Sequence, residues 1–295
     1  MIRDRSAGAV VFDVVNHAIL LLAALVCLLP LWHVLAVSFS NNAASVGRQV
    51  HLWPVGFNLM NYDYVLRWPQ FRVSFMISLM RVIGAVIITL SVNVLAAYPL
   101  SINETFRGKQ AVKWLLIFSM LFTGGLIPWY LAIRSLGLVN KLWALILPYA
   151  ASPWQIIIAL NFFRQLPVEL SEAAEIDGAS HWDILLRIYL PIALPLLATL
   201  TLFTAVWHWN AWFDGLILMT DAAKHPLQTY LHTVLRRQVE SLQIGLQADY
   251  ELFKYLSARS LQAAQIMITT IPVLVLYPFL QRYFVHGLTL GSVKE

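Results

Sequence analysis

The 295-residue chain is 59% hydrophobic and 12% charged, with a mean hydropathy of +0.69. Soluble domains hold about 25% charged residues, so this composition leaves too little polar surface to coat a globule of this size and excludes an ordinary soluble protein. The net charge of +5 comes from scattered basic residues with no aromatic-interleaved patch, which argues against a nucleic-acid partner, and the one cysteine, Cys27, excludes a disulfide framework.

Taken in chain order, apolar runs of at least the roughly 20 residues needed to cross a bilayer fall at about 14–38, 73–99, 112–134, 142–164, 188–218 and 262–285. They predict an all-α integral membrane protein, a single domain over 1–295 with six transmembrane helices and membrane lipid as its solvent. The first run is too long for a signal peptide and is followed by no small-residue cleavage site, so it is read as a retained span. The second run carries Arg81 and Asn93, and the fifth carries Asp214 near its far end. Gly124, Gly125, Pro128, Pro191, Pro195, Pro272 and Pro278 lie inside the runs. Neighbouring helices in a membrane can satisfy the carbonyls that such residues free. An even number of spans puts both termini on one side, but basic residues divide almost evenly between the two sides and leave the orientation open.

The loop at 165–187 is the one on the side of the termini with clear internal structure. Pro167 suits a first helical position, and acidic side chains follow where a helix N-terminus favours them. Gly178 can take the left-handed conformation that ends a helix, and Ser180 with Asp183 makes a capping box that starts another. The reading is a short helix, a glycine turn and a second short helix feeding the fifth span. Ala173 and Ala174 allow close approach to a partner surface, against which Glu172 needs a cation. A lipid-surface connector whose alanines reflect helix propensity alone fits the same residues.

Glu172-Ala173-Ala174, then Gly178, then Ile188-Tyr189-Leu190-Pro191, resembles the EAA loop of ABC-importer permeases. The resemblance implies the type I ABC-importer permease fold with a cytoplasmic coupling helix. Glu172, Ala173, Ala174, Asp177 and Gly178 would seat in a cleft of the ATP-hydrolysing subunit, and Leu190 and Pro191 would pass its movement into the fifth span. It further implies the plasma (inner) membrane, both termini cytoplasmic and 219–261 outside. The partners implied are a homologous second permease, two ATP-binding subunits and an extracytoplasmic solute-binding protein. The block from Phe122 to Tyr130, Trp209-Asn210-Ala211-Trp212-Phe213 and the tail from Tyr277 resemble permeases for sugars and oligosaccharides. The set is nearest the branch of lipo-oligosaccharide-type permeases and the second permease subunit of the alginate importer. Leu185 departs from a frequent Phe of the family, and Glu295 from a frequent terminal Gly.

The chain has no phosphate-binding Gly-x-x-x-x-Gly-Lys-Ser/Thr loop, no His-Glu-x-x-His and no Gly-x-Ser-x-Gly. It is read as a non-enzyme without cofactor or metal of its own, ATP and Mg being bound by the partner ATPase. For the stretch Trp207 to Asp214, aromatic faces suit sugar rings and Asn210 or His208 suits hydroxyls, while interfacial anchoring explains the same tryptophans. Trp209, Asn210 and Asn93 are the substrate-pathway candidates and Arg81 a further one, with helix–helix glue as the other reading of Asn93 and snorkelling or pairing that of Arg81. The outer loop 219–261 predicts a helix from Leu227 to Leu242, either a docking surface for the binding protein, presenting Arg236, Arg237, Lys254 and Arg259, or an amphipathic helix on the membrane. The function expected is import of an oligo- or polysaccharide, an alginate-like acidic glycan first. A neutral oligosaccharide or a sugar phosphate is the alternative, and an ion-driven secondary transporter the more distant one.

Overall fold

The computed structural model describes residues 7–102, 108–234 and 257–290, and every regular element among them is helical. Three stretches are long and apolar enough to cross a bilayer: α1 (Ala7–Ser38), α4 (Pro69–Ile102) and Arg259–Leu276 within the last helix. Three more candidates are bent pairs. Lys109–Leu121 (α5) meets Leu126–Ser135 (α6) at 118°, Leu142–Tyr149 meets Pro153–Phe163 (α7) at 48°, and His181–Ile192 meets Leu194–Asn210 (α11) at 79°. Counting each pair as one crossing gives up to six, each overlapping one of the expected runs.

The breaks have local causes. At the first, Gly125 sits at φ +85°, a region that residues with a Cβ avoid. At the third, Pro191 lacks the N–H that an α-helix would direct at the Arg187 carbonyl. The chain responds with a π turn over Leu185–Tyr189, in which the Leu190 N–H reaches back to Leu185 O. The fifth run is therefore not one helix over 188–218. It starts at His181, turns sharply at Ala193, stops at Asn210 and resumes as α12 (Phe213–Leu218).

Two units group by contact. One holds the described residues of 1–68 and 235–271, the other those of 69–234 and 272–295. In the first, α1 is followed by α2 (Asn42–Val46) and α3 (Met60–Arg67), and Ala36, Val37, Ala44, Val50 and Ala263 bury one another. The buried Asn61 amide donates to Ser38 O at 3.1 Å and accepts from Ser260 Oγ at 3.1 Å. Arg259 donates to Ser45 O at 3.3 Å, so this arginine is engaged within the chain.

The second unit is organised by α4. Its buried positions Phe71, Ser74, Ser78, Arg81, Ala85, Thr89, Asn93 and Ala97 follow the three-to-four spacing of one helix face. That face packs on α7 and α11. Lipid offers no hydrophobic drive between spans, so association rests on close packing and hydrogen bonds. Ala85, Ala97, Ala159 and Ala193 are fully buried and let the backbones approach, while Tyr98 sets its ring edge-on to Phe163 and Tyr189.

The described part of the long 219–261 loop belongs to this unit. A helix (α13) runs over 227–234 with Leu227 and Leu231 buried, and the Leu227 N–H donates to Ser78 Oγ at 2.8 Å. It is packed on protein, which corrects the reading of a free helix lying on the membrane. Its continuation, with Leu235, Arg236, Arg237, Val239 and Lys254, lies outside the described residues.

Candidate coupling loop and translocation cleft

The loop at 165–187 forms as its residues dictate. Its helix α8 runs Glu169–Ile176 with Glu169 and Glu172 in the first turn. It starts two residues after Pro167, because Leu170 and Ser171 first bond back to Pro167 O and Val168 O in a tight turn. Asp177 caps the C-terminus, and Gly178 follows at φ +81°. Ser180 then opens α9 (His181–Ile184) with the full capping box: Asp183 N–H donates to Ser180 Oγ, and Ser180 N–H donates to Asp183 Oδ2, each at 3.2 Å. Hydrogen bonds from the Ser180 hydroxyl and backbone hold the Asp183 carboxyl below the usual carboxylate range, Arg187 adding to the effect.

Ala174 rests on the core, whereas Glu172 and Ala173 are exposed. Glu172 has no ion-pair partner among the described residues, so its carboxylate is available to another chain. One residue escaped the sequence reading: Ile176, one turn after Glu172 on the same face, is 87% exposed. An isoleucine on the polar end of a short helix was the signal. The loop is tied to the spans by the Tyr98 hydroxyl, which donates to His181 O at 3.0 Å. Leu190 is half-buried against the core and Pro191 exposed, both in the short α10 (Leu190–Ile192) between the π turn and the sharp bend.

Near the other end of the spans, Arg81 pairs with Asp214, both buried. Its guanidinium reaches Asp214 Oδ2 through Nη2 and Oδ1 through Nη1 at 3.2 Å, with longer contacts of 3.3 Å to Ala211 O and His208 Nδ1. One side chain on α4 thus holds the end of α11, the break at Ala211–Trp212 and the start of α12. Of the readings of Arg81, pairing is the one whose contacts are present.

Asn93 is buried and committed to neighbouring helices. Its amide donates to Gln155 Oε1 at 2.8 Å and accepts from Ser152 N–H at 3.0 Å, while Gln155 donates to Thr204 Oγ1 at 3.1 Å. These bonds tie α4 to α7, the contacts that helix–helix glue requires. Trp209 is also buried, edge-on to Phe75. Asn210 is exposed and lines a cavity of about 560 Å³ with Tyr149, Phe203, Trp207, Trp212 and Asp214. Tyr149, Phe203 and Trp207 also line a second cavity of about 390 Å³, with Thr89, Trp154, Gln155 and His208. The two make one aromatic cleft. Trp207, within the tryptophan-rich stretch, and Tyr149 are its shared wall, although Trp209 and Asn93 were singled out from the sequence.

Against known families, residues 67–290 match the binding-protein-dependent transport system inner membrane component. The chain belongs to this family. The permease is 38% identical, over 96% of its length and 98% of the relative's, to the polygalacturonan/rhamnogalacturonan transport system permease protein YtcP of Bacillus subtilis (strain 168). It is 40% identical to protein LplC of the same organism, covering 96% and 95% of the two chains. Its structure superimposes with a TM-score of 0.85 at 31% identity on a chain of a bacterial ABC transporter involved in the import of the acidic polysaccharide alginate, covering 95% of this chain and 99% of that one. The permease is thus a non-catalytic, multi-pass inner-membrane subunit of a sugar or oligosaccharide ABC importer, whose ATPase resides in a separate subunit.

Proposed function

We propose that the permease lines half of a translocation path for an acidic oligosaccharide and that the 165–187 loop couples this path to ATP hydrolysis. The observation that carries the path is the aromatic cleft with Asn210 at its rim, since sugar rings stack their C–H faces on indole and phenol rings while an amide bonds their hydroxyls. The acidic character is supported by the relatives, one named for polygalacturonan and rhamnogalacturonan, another for alginate. The neutral alternative has an observation in its favour: neither cavity is lined by lysine or arginine.

The working assembly is this chain with a homologous second permease, two ATP-binding subunits that hold Mg-ATP, and an extracytoplasmic binding protein, with both termini in the cytoplasm. Exposed Glu172, Ala173 and Ile176 enter the ATPase cleft, where Glu172 meets a cation. Gly178 reverses the chain, and Leu190 and Pro191 hand the movement of the loop to α11 through the bend at Ala193. Uptake into proteoliposomes of the full complex tests the cargo, with uronic-acid oligomers, neutral oligosaccharides and sugar phosphates offered in turn. Uptake confined to the uronic-acid oligomers and reduced by Trp207→Ala supports the reading. Uptake of neutral oligomers alone discards it.

A further inference from the structure

The bent pair of α5 and α6 accounts for one crossing, and no charged residue falls between Lys113 and Arg134. From its charged end α5 runs about 20 Å before it breaks, which puts the break inside a hydrocarbon core about 30 Å thick. Residues 122–125 belong to neither helix. The Phe122 N–H returns to Phe118 O at 3.0 Å, and the bonds resume only where the Trp129 N–H meets Gly125 O at 3.2 Å. Among the described residues, the N–H groups of Thr123, Gly124 and Gly125 have no hydrogen-bond partner, nor have the carbonyls of Ser119, Met120 and Leu121. Lipid offers nothing to such groups, so irregular backbone at membrane depth occurs against protein or along water.

The surroundings of the break decide between those two. The first half of α5 rests on the core through Val112 and Leu116, but residues 117–128 are all exposed in this chain. Phe118, Leu121, Phe122, Leu126 and Ile127 frame the open backbone, and a water-filled passage would wet all of that apolar surface. The open donors and acceptors exclude lipid, and the apolar frame excludes water. What fits is a protein surface that presents complementary acceptors and donors within an apolar contact. The glycines let it come close: a Cβ at Gly124 would meet only Pro128 Cβ, at 3.8 Å, and one at Gly125 nothing within 4 Å. Of the chains in the proposed assembly, the second permease is the one that shares the hydrocarbon, since the ATP-binding subunits and the binding protein lie in water.

We propose that the elbow between α5 and α6 is a contact surface for the homologous second permease, whose chain bonds the open backbone groups at 119–125 across the subunit boundary. The inference rests on the assembly proposed above. It adds which surface of this chain meets that partner and what holds the two together there.

The test uses the full transporter, purified through a tag on this chain. In one sample the photoreactive residue benzoylphenylalanine stands in place of Phe122. Illumination joins this position to the second permease, as read by mass spectrometry of the adduct, in the nucleotide-free complex, in the complex trapped with ADP and vanadate, or in both. A second sample carries Gly124→Leu, because Gly125, at φ +85°, would be strained by any side chain. This variant reaches the membrane at the wild-type level, and the second permease recovered with it falls about tenfold, the scale of an overpacked contact, while Gly124→Ala stays within about twofold. Adducts confined to lipid, to another part of this chain or to a second copy of it overturn the inference, as does full retention of the second permease by Gly124→Leu. If no second permease accompanies the wild type, the assembly proposed above falls, and this inference with it.

Discussion

Replacing Arg81 by methionine removes a guanidinium that is fully buried and faces an aspartate side chain only 5% exposed. Asp214 would keep the Gly215 N–H at 2.8 Å and lose its counter-charge. The contacts of Arg81 to His208 and Ala211 are long, at 3.3 Å, and contribute little, so the cost is dominated by the stranded carboxylate. Losing one partner of a buried ion pair costs about 3–5 kcal/mol, whereas replacing both by apolar groups of similar volume is often close to neutral. Arg81→Met and Asp214→Leu as single changes therefore destabilise strongly, and the double variant recovers much of the loss. Arg81→Lys falls between, since an ammonium retains the charge but not the fork that spans α11 and α12. The assay is the fraction of detergent-purified complex that survives a heating series, read by size-exclusion chromatography. A double variant as unstable as the sum of the two singles would refute the reasoning, because it would show that the groups do not act as a pair.

Four further outcomes follow from the geometry. Gly178→Val, at φ +81° with open space around the Cβ, costs about 1–2 kcal/mol of backbone strain alone and lowers coupled uptake, while Gly178→Asn keeps most of it; equal uptake by all three proteins would remove the turn from the mechanism. Ser180→Ala raises amide hydrogen exchange across His181–Ile184, the usual worth of such a cap being about 0.5–2 kcal/mol. The same cap depends on pH through Asp183. Its carboxyl is held below the ordinary 3.8, so its contribution is fully present above that value and fades as pH falls through the lowered folded value. Exchange that grows on raising the pH from 4 to 7, after correction for intrinsic rates, would contradict it. Asn93→Leu leaves the Ser152 N–H without its acceptor and Gln155 with Thr204 alone, costs about 1–3 kcal/mol and lowers complex yield, with cargo preference unchanged; a shift in preference would favour the pathway reading of Asn93.

What could be read from the sequence was local. The helix–glycine–helix loop depends on Glu172, Gly178, Ser180 and Asp183 acting within a few residues, and the structure forms the capping box and the left-handed glycine where those residues place them. The positions of the apolar runs depend only on composition. The bends do not: Gly125 and Pro191 mark where a helix can break, but 118° and 79° are set by what packs around them. Arg81 and Asp214 both stood out as charges inside spans, yet 133 residues separate them and nothing in the sequence pairs them. The stripe Ser74, Ser78, Arg81, Thr89, Asn93 was legible as the inward face of α4, because polar side chains in a span turn from lipid. Trp207 was harder, since four residues of one aromatic string had to be assigned to faces of a helix that ends within it.

The most direct measurement is ATP hydrolysis by the full transporter in lipid with its binding protein, across neutral and uronic-acid oligosaccharides, wild type beside Glu172→Arg. The expected result is stimulation by the uronic-acid oligomers that disappears in the variant while the subunits still co-purify. Stimulation by uronic-acid oligomers that survives Glu172→Arg unchanged contradicts coupling through this loop, and stimulation by neutral sugars alone contradicts the acidic cargo.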